Sequence, residues 1–331
     1  MLKNTNYILL FFFIFLFFSC SDKNTESKYE KNPEDLKVSE VNGKDSVSAQ
    51  DPSDSLIKNN ESLVDLINFA VSIYNTPVLN SPDFDRIYGG KDGKSLALNK
   101  NRLVKELEYV AFPGSVFTVL EKIKNGDHYI FRVLSDEYDI VLNGTNLYID
   151  SRFVELKDTK TAQELKIKPS KEQIYNFFDK CENARYVWGA NNVNGVEKMF
   201  ELYKPAGQLN QFVSDHWSMK GVDCSGLIYE ATGGYTPRNT YQMVSYGEGL
   251  DIEGKSVEEI AEMLLPLDMI VWKGHVIYVY NKNKTIESAH SAGGVVRKDL
   301  ISTLSKIMQT RRPVNNWSDD NGKIFVIRRW W

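Results

Sequence analysis

The chain opens on an apolar run from Ile8 to Phe18 behind Lys3. Crossing a ~30 Å hydrocarbon core takes roughly 20 apolar residues, so this shorter run predicts the hydrophobic region of an export signal over residues 1–20. Residues 21–61 then mix both charge signs with Ser, Asn and Pro and hold almost no apolar cluster. They cannot bury enough surface to offset their ordering entropy, which predicts a flexible linker. From 62 to 160 short β-branched and aromatic runs alternate with turn residues, predicting strands at Val116–Lys122, Tyr129–Leu134 and Asn146–Ile149, with Asn125-Gly126-Asp127 turning the first hairpin. Beyond 161 the period lengthens. Ser170 and Gln173 have capping-box spacing, and Ile174, Phe177, Phe178 and Cys181 share one helical face, which makes Cys181 a small buried hydrophobe. Leu227, Ile228 and Ala231 fall at helical spacing from Cys224, and Thr232-Gly233-Gly234 stops that helix. Three strands follow between Asp268 and His290, then a helix over Ser302–Ile307 and a closing strand at Phe325–Ile327. Arg328 and Arg329 after it read as solvated.

Composition narrows the class. With 331 residues, 42% hydrophobic and 25% charged, the chain excludes collagen-like, wholly disordered and coiled-coil proteins and suggests about two domains. Forty Lys plus Arg against 44 Asp plus Glu leave −4, so no basic field exists to hold nucleic acid. Three cysteines, Cys20, Cys181 and Cys224, are too few and too far apart for a disulfide framework or a Cys-rich zinc site, so any cysteine chemistry must come from a single thiol, which needs no metal or organic cofactor. Of the four histidines, His128 reads as a solvated hairpin residue; the others are His216, His275 and His290.

Two of them meet Cys224 in a chemical argument. At a helix start the unpaired N–H groups and the helix dipole favour thiolate, Asp223 and Ser225 are good capping types, and Gly226 lets a substrate or strand approach. A cysteine at a helix start is weak evidence alone. If Asn281–Lys284 forms a four-residue loop, Val279 faces Ile286 and His275 faces His290, close enough for one ring to orient the other; a one-residue slip separates them. A thiol, a base and an orienting group are what acyl transfer through a cysteine requires.

Tyr186-Val187-Trp188-Gly189, Asp223-Cys224-Ser225-Gly226, Pro237-Arg238-Asn239-Thr240-Tyr241-Gln242, His275-Val276 and His290 together resemble the NlpC-type bacterial cell-wall cysteine peptidases. The resemblance implies an α+β, papain-like domain over 161–331, with a helix-borne cysteine packed on an antiparallel sheet. It implies Cys224 as nucleophile, His275 as base and His290 as the orienting residue, with Tyr186 beside the thiol and the Cys224 N–H in an oxyanion hole. Asp223 and Ser225 would help hold a free N-terminal ammonium and Arg238 a substrate carboxylate, while Trp188 and Gly189 pack and turn the chain. Residues 62–160 resemble a small bacterial SH3-type β barrel. Phe17-Phe18-Ser19-Cys20 resembles a lipobox, which implies lipidation at Cys20 and an exported protein held at the cell envelope. The implied activity is hydrolysis of the γ-D-Glu to diamino acid bond in peptidoglycan stem peptides or muropeptide fragments. The rivals are an acyltransferase or amidase on the same scaffold and a non-catalytic envelope-binding lipoprotein. Two departures stand out: 33 residues separate Gly189 from Asp223, more than twice the family's usual number, which suggests a lid or specificity wall; and Leu267 replaces the usual Gly before Asp268, which should alter only a turn.

Overall fold

The structure is a computed structural model that describes residues 68–138, 145–163, 165–319 and 322–331, all within one compact unit, Ser53–Trp331. The export run, Cys20 and the linker lie outside the described residues. Among those described, no helix is long and apolar enough to cross a membrane, and no cluster of His, Cys, Asp or Glu could hold a metal ion.

The first half forms a seven-stranded antiparallel sheet of β1 (Asn68–Ser72), β2 (Thr76–Leu79), β3 (Leu107–Ala111), β4 (Val116–Asn125), β5 (His128–Ser135), β6 (Leu147–Asp150) and β7 (Val154–Lys157), in the order β3-β2-β6-β5-β4-β1-β7. The strands expected at 116, 129 and 146 are present. The turn between β4 and β5 is tighter than expected, because Asn125 pairs with His128 and leaves only Gly126 and Asp127 in the loop, Gly126 at φ +59°. His128 is not solvated: its side chain is 10% exposed and bonds to Asp127 at 3.0 Å, because the tight turn folds it back over Asp150.

In the second half Ser170 caps α1 (Lys171–Lys180) with both bonds of a capping box, and Cys181 is buried at its end as expected. The long segment between Gly189 and Asp223 carries α2 (Lys198–Leu202) and α3 (Gln211–Trp217). Its Met199, Tyr203, Trp217 and Met219 share one core with Phe84, Tyr88 and Phe153 of the first half, with Trp217 against Tyr88 and Tyr203 against Phe84. Asn191 brackets the Val110 backbone, accepting from its N–H at 3.0 Å and donating to its C=O at 2.9 Å. The segment therefore packs between the two halves.

After it come α4 (Cys224–Ala231), α5 (Val257–Met263) and α6 (Leu300–Met308), set on a second sheet. Its strands are β8 (Glu248–Gly249), β9 (Met269–Trp272), β10 (His275–Asn281), β11 (Lys284–Ala289), β12 (Gly294–Asp299), β13 (Arg312–Pro313) and β14 (Ile324–Arg329). The order is β8-β14-β9-β10-β11-β12, antiparallel throughout, with β13 joining β14 in parallel. Both faces are covered. Met269, Val271, Val276 and Tyr278 point toward α4, and Ile270, Ile277, Val279 and Phe325 toward α5 and α6, which is why β9 reads as a continuous apolar run. The expected packing of a cysteine-bearing helix on an antiparallel sheet is thus what forms.

Three local expectations fail. Asn281 pairs with Lys284, its Oδ1 accepting from the N–H groups of Asn283 and Lys284, so the loop has two residues; an irregularity between Val279 and Asn281 then puts Val279 opposite Thr285. The register is one residue away from that expected, and His275 does not face His290. Arg328 and Arg329 are not solvated: Arg328 is buried and donates to Val244 O at 2.6 Å, while Arg329 clamps the buried Asp268, because β14 runs three residues longer than expected and carries both inside the sheet. Leu267 does more than alter a turn: it sits at φ +75° with its side chain fully buried, so apolar burial holds a non-glycine residue in the left-handed region.

Candidate active site

Cys224 is the first residue of α4, capped by Asp223, whose Oδ1 accepts from the Gly226 N–H at 2.6 Å. Its own N–H belongs to the first turn, where the helix supplies no partner. A second anchor holds the cysteine from below, the buried Tyr278 hydroxyl donating to Cys224 O at 3.1 Å. Gly226 is required by backbone approach: a Cβ there would stand 2.2 Å from Ala190 O. Gly189, at φ +70°, turns the chain so that its N–H donates to Asp223 Oδ2 at 3.1 Å.

Arg238 does not extend toward a ligand. Its Nε donates to Asn191 Oδ1, Nη1 to Asp223 Oδ1 and Ser225 Oγ, and Nη2 to Asp223 Oδ2 and Ala190 O, at 2.9–3.4 Å. A guanidinium has five N–H donors, and all five are spent. Burial opposes its charge and Asp223 more than offsets this, leaving its pKa raised. The expected carboxylate-holding role for Arg238 therefore gives way to a structural one. Asp223 and Ser225 are drawn into the same buried network, Ser225 Oγ donating to Asp223 Oδ1 at 3.3 Å.

His275 enters from β10. Its Nε2 lies 2.6 Å from Glu287 Oε2, and the other Glu287 oxygen accepts from Lys298 Nζ at 2.6 Å. Burial works against a charged ring, but its hydrogen bonds to Cys224 and Glu287 and the charges of both overcome it and raise the His275 pKa to about 9. Glu287 is itself buried, yet its bonds to His275 and Lys298 hold its carboxyl below the usual range. The imidazole is thus held between a thiol and a carboxylate.

His290 is elsewhere. It starts a 3-10 turn, its Nε2 is 3.1 Å from Asn101 O in the first half, and its ring meets Tyr186 edge-on at 5.6 Å. The one-residue register change, with Val279 opposite Thr285, takes His290 off the face of His275 and brings Glu287 onto it. Tyr186 stands by the thiol as expected; burial, then the Cys224 and Asp223 charges, push its phenol well above its usual pKa, so it stays protonated.

A cavity of about 440 Å³ opens on Cys224, Tyr186 and Asp223, and the first half closes it with Lys105, Glu108 and Tyr138. Glu108 accepts from Tyr138 Oη and Asn80 Nδ2, each at 2.6 Å, and Lys105 Nζ sits 2.7 Å from the Trp188 ring centre.

No protein-family model matches the sequence, and no curated protein does. Among solved structures the chain has some likeness to an NlpC/P60 family protein from Bacillus cereus, with 15% identity, 82% of this chain and 66% of that one covered, and a TM-score of 0.30. It is likewise similar to the peptidoglycan hydrolase RipB of Mycobacterium tuberculosis, at 17% identity, 48% and 63% coverage and 0.30. A third is the P60 domain of an antigen from M. avium subspecies paratuberculosis, at 18%, 47% and 92%, and 0.29. The chain spans just under two thirds of the length of the first two. Likeness at this level assigns neither family nor activity, and the chemistry rests on the side chains themselves.

Glu287, Glu108 and Lys105 are the site residues absent from the sequence reading. Glu287 escapes it because the expected register puts Ser288, not Glu287, diagonal to His275. Glu108 and Lys105 line the Cys224 cavity only across the join between the halves, which no local spacing reports.

Proposed function

We propose that the protein is a cysteine peptidase that hydrolyses the γ-D-Glu to diamino acid bond of peptidoglycan stem peptides or their fragments. The observation that carries this is His275 held between the Cys224 thiol and the Glu287 carboxylate. Glu287 takes the orienting role first given to His290. It fixes the Nε2–H tautomer and leaves Nδ1 to exchange a proton with the thiol. Cys224 Sγ, its proton already held on the charged His275 ring, attacks the γ-carbonyl of D-Glu. The Cys224 N–H and the Tyr186 hydroxyl face the developing oxyanion. His275 then protonates the leaving amine as the C–N bond breaks, and an acyl-thioester remains. Water, deprotonated by His275, attacks that thioester and frees the γ-D-Glu carboxylate and the Cys224 thiol. With Asp223 neutralised by Arg238, Glu108 is the carboxylate left to meet the free ammonium of an N-terminal L-Ala.

The same proposal includes an SH3-type module in residues 62–160, export, and lipid attachment at Cys20, which would hold the enzyme at the cell envelope. Purified Cys224→Ala, given stem tri- and tetrapeptides with free or acetylated N-termini, should release no diamino acid fragment. Cleavage at the wild-type rate by that variant sinks the proposal, and equal rates on free and acetylated substrates sink the ammonium reading.

A further inference from the structure

Tyr186 also lines a second cavity, about 290 Å³, which Asp223 and Cys224 do not line. Three parts of the chain build it: the loop carrying Lys100 and Arg102, Phe212 of α3, and Arg185, Tyr186 and His290 of the second half. No acidic residue lines it. The Arg102 and Arg185 guanidiniums lie 4.0 and 5.8 Å from the Phe212 ring centre. Only Arg185 has a counter-charge, Asp215 at 2.7 Å from its Nε; Lys100 and Arg102 have no ion-pair partner among the described residues. Burial, then the Arg185 and Arg102 charges, hold the His216 imidazole in this wall below its usual pKa against a bond to Phe212 O.

Arg102 stands at φ +60°, in a loop tied by Asn99, whose side chain accepts from the N–H groups of Asn101 and Leu103. Glycine suits that conformation better, so the loop keeps an arginine there against the preference of its backbone. Outliers of this kind concentrate at working sites. Meanwhile the Cys224 cavity is lined by both signs, Glu108 and Asp223 with Lys105 and Arg238, and Arg238 offsets Asp223. The two cavities share Tyr186, so a peptide lying across Cys224 with its ammonium at Glu108 can carry its leaving half into the second, whose charged lining is all cationic.

We propose that this cavity is the leaving-side subsite and binds a carboxylate of the diamino acid through Arg102, with Lys100 and Arg185 adding charge. The proposal rests on the peptidase reading above. Two sources offer that carboxylate: the side chain of a diamino dicarboxylic acid, or the free α-carboxylate of a third residue that ends the stem. A lysine amide offers neither and would bring an ammonium among cations.

The experiment measures kcat/KM of the full chain on L-Ala-γ-D-Glu-X, where X is 2,6-diaminopimelate or lysine, each with a free or amidated α-carboxyl. Wild type should favour acid-bearing peptides over the lysine amide by about tenfold or more, a charged hydrogen bond's worth. The arm that retains the preference names the source. Arg102→Gln, and Arg102→Gly which suits the loop, should lose that preference through KM, the ratio falling toward one. Equal rates on all four peptides in wild type, or an undiminished preference in both variants, overturn the subsite while leaving the peptidase standing. Absence of cleavage of every peptide takes down both.

Discussion

His275 Nε2 lies 2.6 Å from Glu287 Oε2, and Lys298 Nζ grips the other oxygen of the same carboxylate at 2.6 Å. A buried carboxylate between a ring N–H and an ammonium has little freedom to rotate, so it sets the tautomer of the ring. Glu287→Gln keeps the shape and removes the charge. We expect kcat on a stem peptide to fall at least about tenfold, as the wrong tautomer becomes available. His290→Ala, outside this chain of bonds although its ring meets Tyr186, should lower kcat by less than Glu287→Gln does. Steady-state rates of the two variants decide the assignment, and the reverse order would restore His290 as the orienting group.

A second expectation concerns pH. His275 is raised from 6.5 to about 9 by the hydrogen bonds and charges of Cys224 and Glu287, which outweigh its burial. Between those values the folded chain binds a proton that the unfolded chain has released, so this contribution is full below about pH 6.5 and is lost as pH rises through about 9. Urea midpoints of wild type and His275→Ala should converge across that window. A gap that widens with pH would mean that the ring is not held charged. In Glu287→Gln the loss should begin at lower pH, because one of the two groups favouring the charged ring is gone.

Much of this site was legible in the chain because its signals are local. The cap at Asp223, the helix behind Cys224 and the strand behind His275 each follow from residues within one turn or one hairpin. What escaped was a single irregularity after Val279, made by an Asn281 side chain that closes a two-residue turn. Because side chains alternate along a strand, one residue of slip replaced His290 with Glu287. Arg238 was misread for a different reason. Sequence shows a guanidinium beside a motif, but whether its donors are free depends on Asn191 and Ala190, 47 and 48 residues away. Lys105 and Glu108 depend on packing between the halves, which the core shared by Trp217 and Tyr88 arranges.

The Arg238 pair therefore yields a stability prediction where a substrate clamp would yield a binding one. Arg238→Met leaves Asp223 buried without its cation, a change that typically costs about 3–5 kcal/mol. Arg238→Lys restores charge but offers three donors in place of five, so it should remain destabilised, by less. Thermal melts should fall in the order wild type, Lys, Met. Melting curves that coincide, with KM alone raised, would return Arg238 to the substrate.

The approach of α4 to the chain after Gly189 gives the sharpest structural test. Alanine at 226 would place its Cβ 2.2 Å from Ala190 O and 2.9 Å from Asp223 Oδ1. Both neighbours are fixed: Ala190 O accepts from the Asp223 N–H, and Asp223 Oδ1 caps the helix that carries the thiol. The methyl can fit only if the helix start moves, so Gly226→Ala should cost about 2–3 kcal/mol or more, as overpacking in a rigid core does. It should also displace Cys224 from His275 and slow alkylation of the thiol at neutral pH. Gly254→Ala is the control, since that glycine, at φ +76°, has nothing within 4 Å of its built Cβ and should lose only the left-handed preference, about 1 kcal/mol. Equal urea midpoints for the two variants would mean that the cysteine helix is not pinned by this contact.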